Sequence, residues 1–416
     1  MEEYFVKDIN LASEGEKKIQ WAEAHMPVLS LIREKFKQEK PFDGLTIGAC
    51  MHITKETAVL MLVLKDGGAE VYLSASNPLS TQDDVAAALV KHDIHVYGKR
   101  GESIEEYNKM IDIVISHKPD IVIDDGGDLI VALHEKYSEI AKNIIGGCEE
   151  TTTGVIRERA LAKEGKLLFP VIAVNDALVK RLMDNKYGSG QSTLEGIMNA
   201  THVLLSGKII VVAGFGYVGS GIASAARGMK ARVIVVEVDP IKALIAALEG
   251  YEVMTMDKAA EIGDIFITAT GNINIIRKEH MLKMKDRAIL ANSGHFNVEI
   301  NLNDLKDIST KVRRINYCVE EYTLKNGRRI YLLGEGRLVN LVCAAGHPSD
   351  VMDASFALQA LSAKFLLENK GKLSPYVYDV PIEINEEVAK LKLESMGIQI
   401  DTLTEEQKKY LESYKI

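Results

Sequence analysis

The chain has 416 residues, enough for two or three domains, and its 47% hydrophobic and 26% charged content is ordinary for a globular protein with a large core. Its 50 Lys and Arg against 59 Asp and Glu leave a net charge of -9, which repels a phosphate backbone over most of the surface and argues against a nucleic-acid partner. There is no apolar run of about 18 residues, and the opening MEEYFVKDIN has neither a basic n-region nor an apolar h-region, so no membrane association and a cytoplasmic location are expected.

From about residue 40 to 170, apolar strands alternate with amphipathic helices: GLTIGAC, KETAVLMLVLKDGG, EVYLSAS, DDVAAALVKH, DIHVYG, SIEEYNKMIDIVISH and DIVIDDGGD. This rhythm predicts a doubly wound parallel sheet. Ser103 and Glu106 are spaced as a capping box, and Ser80 ahead of Asp83 reads similarly. The next stretch is helical in pattern but broken at YGSG, which reads as a hinge. A second alternation starts near residue 208 with KIIVVAG, a helix over 218–229, ARVIVVEVD, PIKALIAALEG, YEVMT, GDIFITATG and RAILANSG. A second crossing is expected near CAAGHPSD, after which an apolar-faced helix over 351–368 returns to the first domain. The fold expected is α/β, with two doubly wound parallel-sheet domains and a short C-terminal helical tail. Residues 1–185 completed by 348–385 form the first domain, 186–347 a Rossmann dinucleotide domain, and 386–416 the tail. Cys50, Cys148, Cys318 and Cys343 lie far apart without a C-x-x-C pair and read as buried thiols.

Gly214, Gly216 and Gly219 make G-x-G-x-x-G between an apolar strand and a helix. The first allows the tight turn, the second close approach of a pyrophosphate, and the third close helix packing. Glu237 closes the next strand where an adenosine ribose would be bound, so NAD is expected rather than NADP.

Four polar clusters sit where strands end, the place where open α/β sheets bind ligands. MHITKET offers His52, Thr54 and Glu56, as a proton-transfer and binding group or simply as a helix capped by Thr54. DDGGD crowds Asp124, Asp125 and Asp128, so at least one carboxyl should have a raised pKa suited to a general base; a solvated turn or a Mg²⁺ site are the other readings, and no metal is expected. CEETTTG brings Glu149, Glu150 and Thr151 to Thr153, which can also be helix caps. In NDALVKRLMDN, Lys180 and Asp184 share a helix face, as a grip for a substrate hydroxyl or an ordinary surface ion pair, with Asn175 and Asn185 flanking them. His295 and His347 each follow a glycine, as residues in close-approach loops often do.

These motifs together resemble the S-adenosylhomocysteine hydrolase family over nearly the whole chain. MHITKETAVL, STQDD, DDGGDL, EETTTGV, NDALVK with DNKYG, GFGYVGSG, EVDP, GHFNVEI, LKNGRRI, EGRLVNL and GHPSDVM carry the resemblance, in that order. It implies reversible cleavage of the thioether of S-adenosylhomocysteine, with resident NAD oxidising the 3′-hydroxyl so that the C4′ hydrogen becomes acidic. By resemblance, Lys180 and Asp184 bind and help deprotonate the 3′-hydroxyl, Lys180 as a desolvated base. Glu150 then fixes the ribose, Asp125 is the base at C4′, and His52 with His295 handle the leaving sulfur and the water. Asn175 steadies Lys180, Thr54 and Glu56 meet the purine, and the His347 loop closes over it. Thr151, Thr152, Thr153, Asn185, Asn340 and Asn272 join Gly214, Gly216, Gly219 and Glu237 around NAD. The resemblance also implies a homotetramer.

Four departures stand out. Ser189 occupies a position where many relatives have cysteine, and the chain stops short of a longer C-terminal tail. Lys55 and Asp350 stand where apolar residues are expected, near the purine pocket. Because Glu56 can pair with an amino group or a ring N–H, S-inosylhomocysteine is the alternative substrate. More distant readings are a net NAD-dependent dehydrogenase, which has no use for so many polar clusters, and a non-catalytic NAD-binding regulator, which would not need to retain them.

Overall fold

The computed structural model describes residues 3–414. Two helices open the chain, α1 (Ala12–Ala24) and α2 (Pro27–Glu39), in a stretch whose pattern the strand–helix rhythm did not reach. Their apolar side chains Ile19, Leu29, Ile32 and Phe36 are buried.

Six strands follow: β1 (Thr46–Met51), β2 (Glu70–Ala75), β3 (His95–Tyr97), β4 (Ile121–Asp124), β5 (Gly146–Glu149) and β6 (Val171–Ala173). The helices between them include α3 (Lys55–Asp66), α4 (Asp83–Lys91), α5 (Ile104–Ser116), α6 (Asp128–Lys136) and α7 (Thr152–Lys163). The expected capping box on α5 is present, with Ser103 Oγ accepting from Glu106 N and Glu106 returning to Ser103 N. The expected cap by Ser80 is not made. Gln82 is the N-cap residue of α4 and makes no side-chain bond there, because the Ser80 hydroxyl is committed to His52.

A wide helical turn, Arg181–Gly188, with π-type spacing, runs directly into α8 (Ser189–Thr201). The expected break at YGSG is therefore absent. Its glycines serve close approach instead: a Cβ on Gly190 would lie 2.7 Å from Gly221 O, and one on Gly221 would lie 1.9 Å from Lys186 O.

The second sheet uses β7 (Ile209–Ala213), β8 (Arg232–Val236), β9 (Glu252–Val253), β10 (Ile265–Thr268), β11 (Ala288–Asn292), β12 (Ser309–Asn316), β13 (Val319–Leu324) and β14 (Arg329–Leu333). Between β7 and β8 lies α9 (Tyr217–Gly228), one residue earlier than expected, and α10 (Pro240–Leu248) follows β8. The strand order is β12-β13-β14-β11-β10-β7-β8-β9. It is parallel from β14 to β9, but β13 runs antiparallel to both β12 and β14, an edge meander that the all-parallel expectation lacked. The cause is local. Tight turns such as the one at Asn326 and Gly327 can join only antiparallel strands, and Gly327 supplies the positive φ of 84°.

The chain then re-enters the first sheet. Helix α11 (Ser349–Glu368) packs against α2, α3 and β5, and β15 (Val377–Asp379) pairs in parallel with β6. The first sheet thus has the order β15-β6-β5-β4-β1-β2-β3. An apolar stripe was expected on α11, yet residues Asp353 to Ala363 are all buried, because the helix is enclosed on several sides. Helix α12 (Ile382–Ser395) covers it, with Lys392 Nζ 2.9 Å from Asp353, whose carboxylate also accepts from Leu29 N. The exposed part of the expected tail is α13 (Glu405–Glu412) and its flanks. Among the described residues no helix is long and apolar enough to cross a membrane.

Candidate active site

In the first sheet the strand order reverses direction between β1 and β4, and a crevice opens outside the carboxyl ends of strands at such a point. His52 follows β1, Asp125 follows β4 and Glu150 follows β5, which places three of the expected residues side by side. The equivalent point of the second sheet, between β7 and β10, carries the Gly214 loop, and His295 follows β11. A cavity of about 130 Å³ lies between these ends, lined among others by His52, Thr54, Glu56, Asp125, Glu150, Thr151, Thr152, Lys180, Asp184, Asn185, His295, Asn340 and His347.

Of the three crowded aspartates, only Asp125 faces this space. Asp124 accepts from Ile130 N at 2.8 Å and Asp125 N at 2.9 Å, closing the start of α6, while Asp128 pairs with Arg157 at 2.7 Å. Burial raises Asp125, although His295 and Lys180 oppose it, and burial raises Asp124 to about 7. Asp125 stands between two imidazoles, 3.5 Å from His52 Nε2 and 3.7 Å from His295 Nδ1. Burial lowers His52 to about 3 and His295 to about 4, so both rings are neutral near pH 7. The Ser80 hydroxyl donates to Asn77 O at 3.2 Å and accepts from His52 Nδ1 at 2.8 Å. That arrangement leaves Nε2 of His52 as the basic nitrogen turned toward Asp125. The ligand atoms of His52, Asp125 and His295 lie within 4.8 Å of one another, a spacing that a divalent ion can also occupy and that the expectation of no metal did not foresee.

Gly126 is what allows His295 so close. Its φ is 110°, and a Cβ there would fall 2.1 Å from His295 Nε2.

Lys180 and Asp184 form a buried pair, 3.3 Å apart, which removes the surface-pair reading. The wide turn matters here, because it brings both the fourth and the fifth residue onward onto the lysine's face. Lys180 Nζ donates to Asn185 Oδ1 at 2.7 Å, and Asn185 Nδ2 donates to Asn175 Oδ1 at 2.9 Å. Asn185, expected at the cofactor, thus has its amide engaged in the Lys180 chain. Burial works to lower Lys180, but Asp184, Glu150 and Asp125 outweigh it and raise the ammonium. Lys180 is expected to act as a desolvated base, and the carboxylates around it instead favour its ammonium form. Glu150 lies 3.5 Å from Lys180 Nζ, and burial raises its carboxyl to about 8. For Asp184 burial is outweighed by Lys180 and His347, which lower it.

Helix α11 contributes two groups that sequence reasoning missed. Ser355 Oγ donates to Asp184 at 2.9 Å and Gln359 Nε2 to Glu150 at 2.5 Å. Their signal was a polar pair four residues apart on one helix face. His347 Nδ1 lies 3.2 Å from Asp184 and its Nε2 3.2 Å from Ser189 Oγ, so the unusual serine supplies a partner for this ring. At the far end Thr54 caps α3 by accepting from Thr57 N, and Glu56 is held by Lys55 Nζ at 2.6 Å and Ser349 Oγ at 2.7 Å.

On the second sheet, a Cβ on Gly219 would lie 1.9 Å from Gly214 O, so α9 packs against the turn only because residue 219 is glycine. A Cβ on Gly216 would meet nothing within 4 Å, leaving open space before the helix N-terminus. Glu237 accepts from Phe215 N at 2.6 Å and Val238 N at 2.7 Å, which orders the loop. Asn340 is buried on the cavity wall with its Oδ1 unpaired, as a residue awaiting an amide donor would be. These features fit a dinucleotide whose carboxamide end reaches the cavity beside Val218 and Asn340. Of the other expected cofactor residues, Thr153 on α7 is not among those lining the cavity, and Asn272 is exposed in the loop after β10, its Oδ1 accepting from Ile273 N. Glu299, unforeseen, holds the turn after β10 through Thr270 and Gly271 N–H groups.

Residues 3–137 match the family described as S-adenosyl-L-homocysteine hydrolase, and residues 185–346 match that described as its NAD binding domain. Full-length relatives are similar. The S-inosyl-L-homocysteine hydrolase of Methanocaldococcus jannaschii is 59% identical, with 99% of each chain covered. The adenosylhomocysteinase of Aquifex aeolicus is 59% identical, covering 100% of this chain and 99% of its own, and that of Sulfolobus acidocaldarius is 57% identical with 99% of each covered.

Proposed function

Since the chain belongs to the S-adenosyl-L-homocysteine hydrolase family, we propose that it hydrolyses S-adenosyl-L-homocysteine reversibly to adenosine and L-homocysteine with resident NAD. The observation that carries this reading is one cavity holding a charged lysine between two carboxyls, Glu150 and Asp184, at one end of the acid–base groups and two neutral imidazoles around Asp125 at the other. A net dehydrogenase needs only the first group.

NAD, when bound, would supply a reversible hydride acceptor for C3′. Lys180, Asp184 and Glu150 bind the ribose hydroxyls and together take up the 3′-hydroxyl proton. With one ammonium among these carboxyls, Lys180 becomes an acceptor only by passing its own proton to a neighbour. Once C3′ is a ketone the C4′ hydrogen is acidic, and Asp125 removes it. The thiolate leaves C5′ and takes up the proton that Asp125 removed from C4′, relayed through the adjacent rings of His52 and His295, and the same neutral rings orient the water that adds to the 4′,5′ double bond. Asn340, whose Nδ2 is held by Ser192 Oγ, would bind the carboxamide end of NAD, and the Gly214 loop would take its pyrophosphate. Glu56, held by Lys55 and Ser349, accepts a hydrogen bond from the purine. The division of the chain at about residues 185 and 348, with closure of the two sheets around the substrate, belongs to the same reading.

A second reading, S-inosyl-L-homocysteine as substrate, is favoured by the name of the M. jannaschii relative and by the Lys55 ammonium beside Glu56, which adds a donor for an exocyclic oxygen. A cytoplasmic homotetramer is also proposed. Its support is the exposed apolar row Val238, Ile241, Leu244, Ile245 and Leu248 at α10, and cysteines that are all free.

The test is to incubate purified protein with each thioether, without added NAD, and titrate released thiol. Homocysteine release with no accumulating NADH supports the hydrolase, and the ratio of kcat/KM values assigns the base. NADH formed in proportion to turnover would rule it out.

A further inference from the structure

We propose that Glu158 is a positioning residue, acting through Glu149 to hold both the Asp125 loop and the Glu150 loop in their catalytic places. The geometry is specific. One oxygen of Glu149 accepts from Gly126 N at 2.8 Å and from Thr151 N at 2.9 Å, the residues directly after Asp125 and Glu150. A single carboxylate oxygen therefore ties together the two loops that carry these acids.

The other oxygen of Glu149, and both oxygens of Glu158, are buried and receive no N–H or hydroxyl donor. Glu149 lies against α7 at Gly154, where a Cβ would fall 2.1 Å from its carboxyl carbon, and Glu158 is one turn further on the same face. The two carboxyls are close enough for the charge of Glu158 to raise Glu149. Two facing carboxylates in a dry site cannot both be ionised, so a proton is held between them.

The groups facing the pair offer no alternative partner. Asp124 from β4 is another acid, and Cys148 of β5 is a buried thiol. Arg157, on α7, is taken up by Gly126 O and Asp128, and Arg159 by Asp176. Burial raises both glutamates, Glu158 to about 8. A proton bound more tightly in the folded state stabilises it fully below the ordinary carboxyl range, and that contribution is lost as pH rises toward about 8.

Two substitutions separate positioning from mere filling of space. Glu158→Gln keeps shape and donor but cannot titrate. Its kcat should stay within about twofold of wild type, and its Tm at pH 8.5 should exceed wild type by about 2 °C or more, with the gap closing by pH 5.5. Glu158→Leu removes the donor, and kcat should fall about tenfold or more at little-changed KM. Wild-type kcat in the leucine variant, an equal loss in the glutamine variant, or parallel Tm–pH curves for wild type and glutamine would each overturn the proposal. The kcat arm rests on the thioether-hydrolase reading. The Tm arm does not, so absence of wild-type turnover would count against that reading alone, and the Tm–pH curves would still decide the role of Glu158 in the fold.

Discussion

Gly126→Ala places a methyl group where His295 now stands. The added Cβ would lie 2.1 Å from Nε2 and 2.8 Å from two ring carbons. Ordinary contact between such atoms begins near 3.5 Å, so ring or backbone must move by about 1.4 Å. The backbone has little room to yield, since Gly126 N is bound by Glu149 and Gly126 O by Arg157. At φ 110° a side chain also adds strain, on the order of 1–3 kcal/mol. Displacing a reacting group by an ångström costs about 100-fold in rate, so kcat should fall by that factor or more. Unfolding by differential scanning fluorimetry should shift down by about 4 °C. Retained NAD, released by denaturation and measured by absorbance, should be unchanged, because the glycine clasp belongs to the other sheet. Turnover within about threefold of wild type, with Tm unmoved, would refute the assignment of His295 to the reacting end.

Lys180→Met should abolish thiol release, by about 1,000-fold or more, while near-native circular dichroism shows that the fold survives; activity close to wild type would remove Lys180 from the site. Asn340→Ala removes the buried amide whose oxygen is unpaired, and NAD retained through gel filtration should drop by about tenfold, with retention at wild-type level counting against a carboxamide contact. Asp353→Ala leaves Lys392 buried without its partner and frees Leu29 N, so urea unfolding should show a loss of about 3–5 kcal/mol, with kcat of the folded fraction preserved; a loss under about 1 kcal/mol would contradict the burial argument. Because Asp184 is lowered by Lys180 and His347 against its burial, its contribution to stability is present above the ordinary carboxyl range and is lost as pH falls below about 4. Acid unfolding monitored by tryptophan fluorescence should accordingly begin at higher pH in Asp184→Asn; an unchanged midpoint would show that the pair is not a stabilising contact.

Much of the layout was legible because it depends on local pattern. The alternation of apolar strands and amphipathic helices, the G-x-G-x-x-G turn and the Ser103–Glu106 capping box need only neighbouring residues, and each is found where its pattern lies. Reading went wrong where a residue had two local uses and a distant partner chose between them. Ser80 is suited to cap α4, but His52, from another strand, takes its hydroxyl. The glycines of YGSG are suited to a break, but the helix runs through them, with Gly190 against Gly221 of α9 and Gly188 against Val351 and His347. The antiparallel meander at the edge of the second sheet was missed because strand direction depends on turn geometry more than on strand composition.

By itself the sequence determined the elements, the two α/β units, the dinucleotide turn and the set of residue types available for chemistry, since these follow from periodicity, turn preference and motif. The tertiary structure alone decided their charge states. Whether Lys180 is a free amine or an ammonium, which of three aspartates faces the cavity, and whether Glu149 needs a proton from Glu158 depend on burial and on partners from β4, β5, α7 and α11. Electrostatic energy in a low-dielectric interior is set by distances of a few ångströms between residues hundreds apart in the chain, and no local pattern encodes those distances.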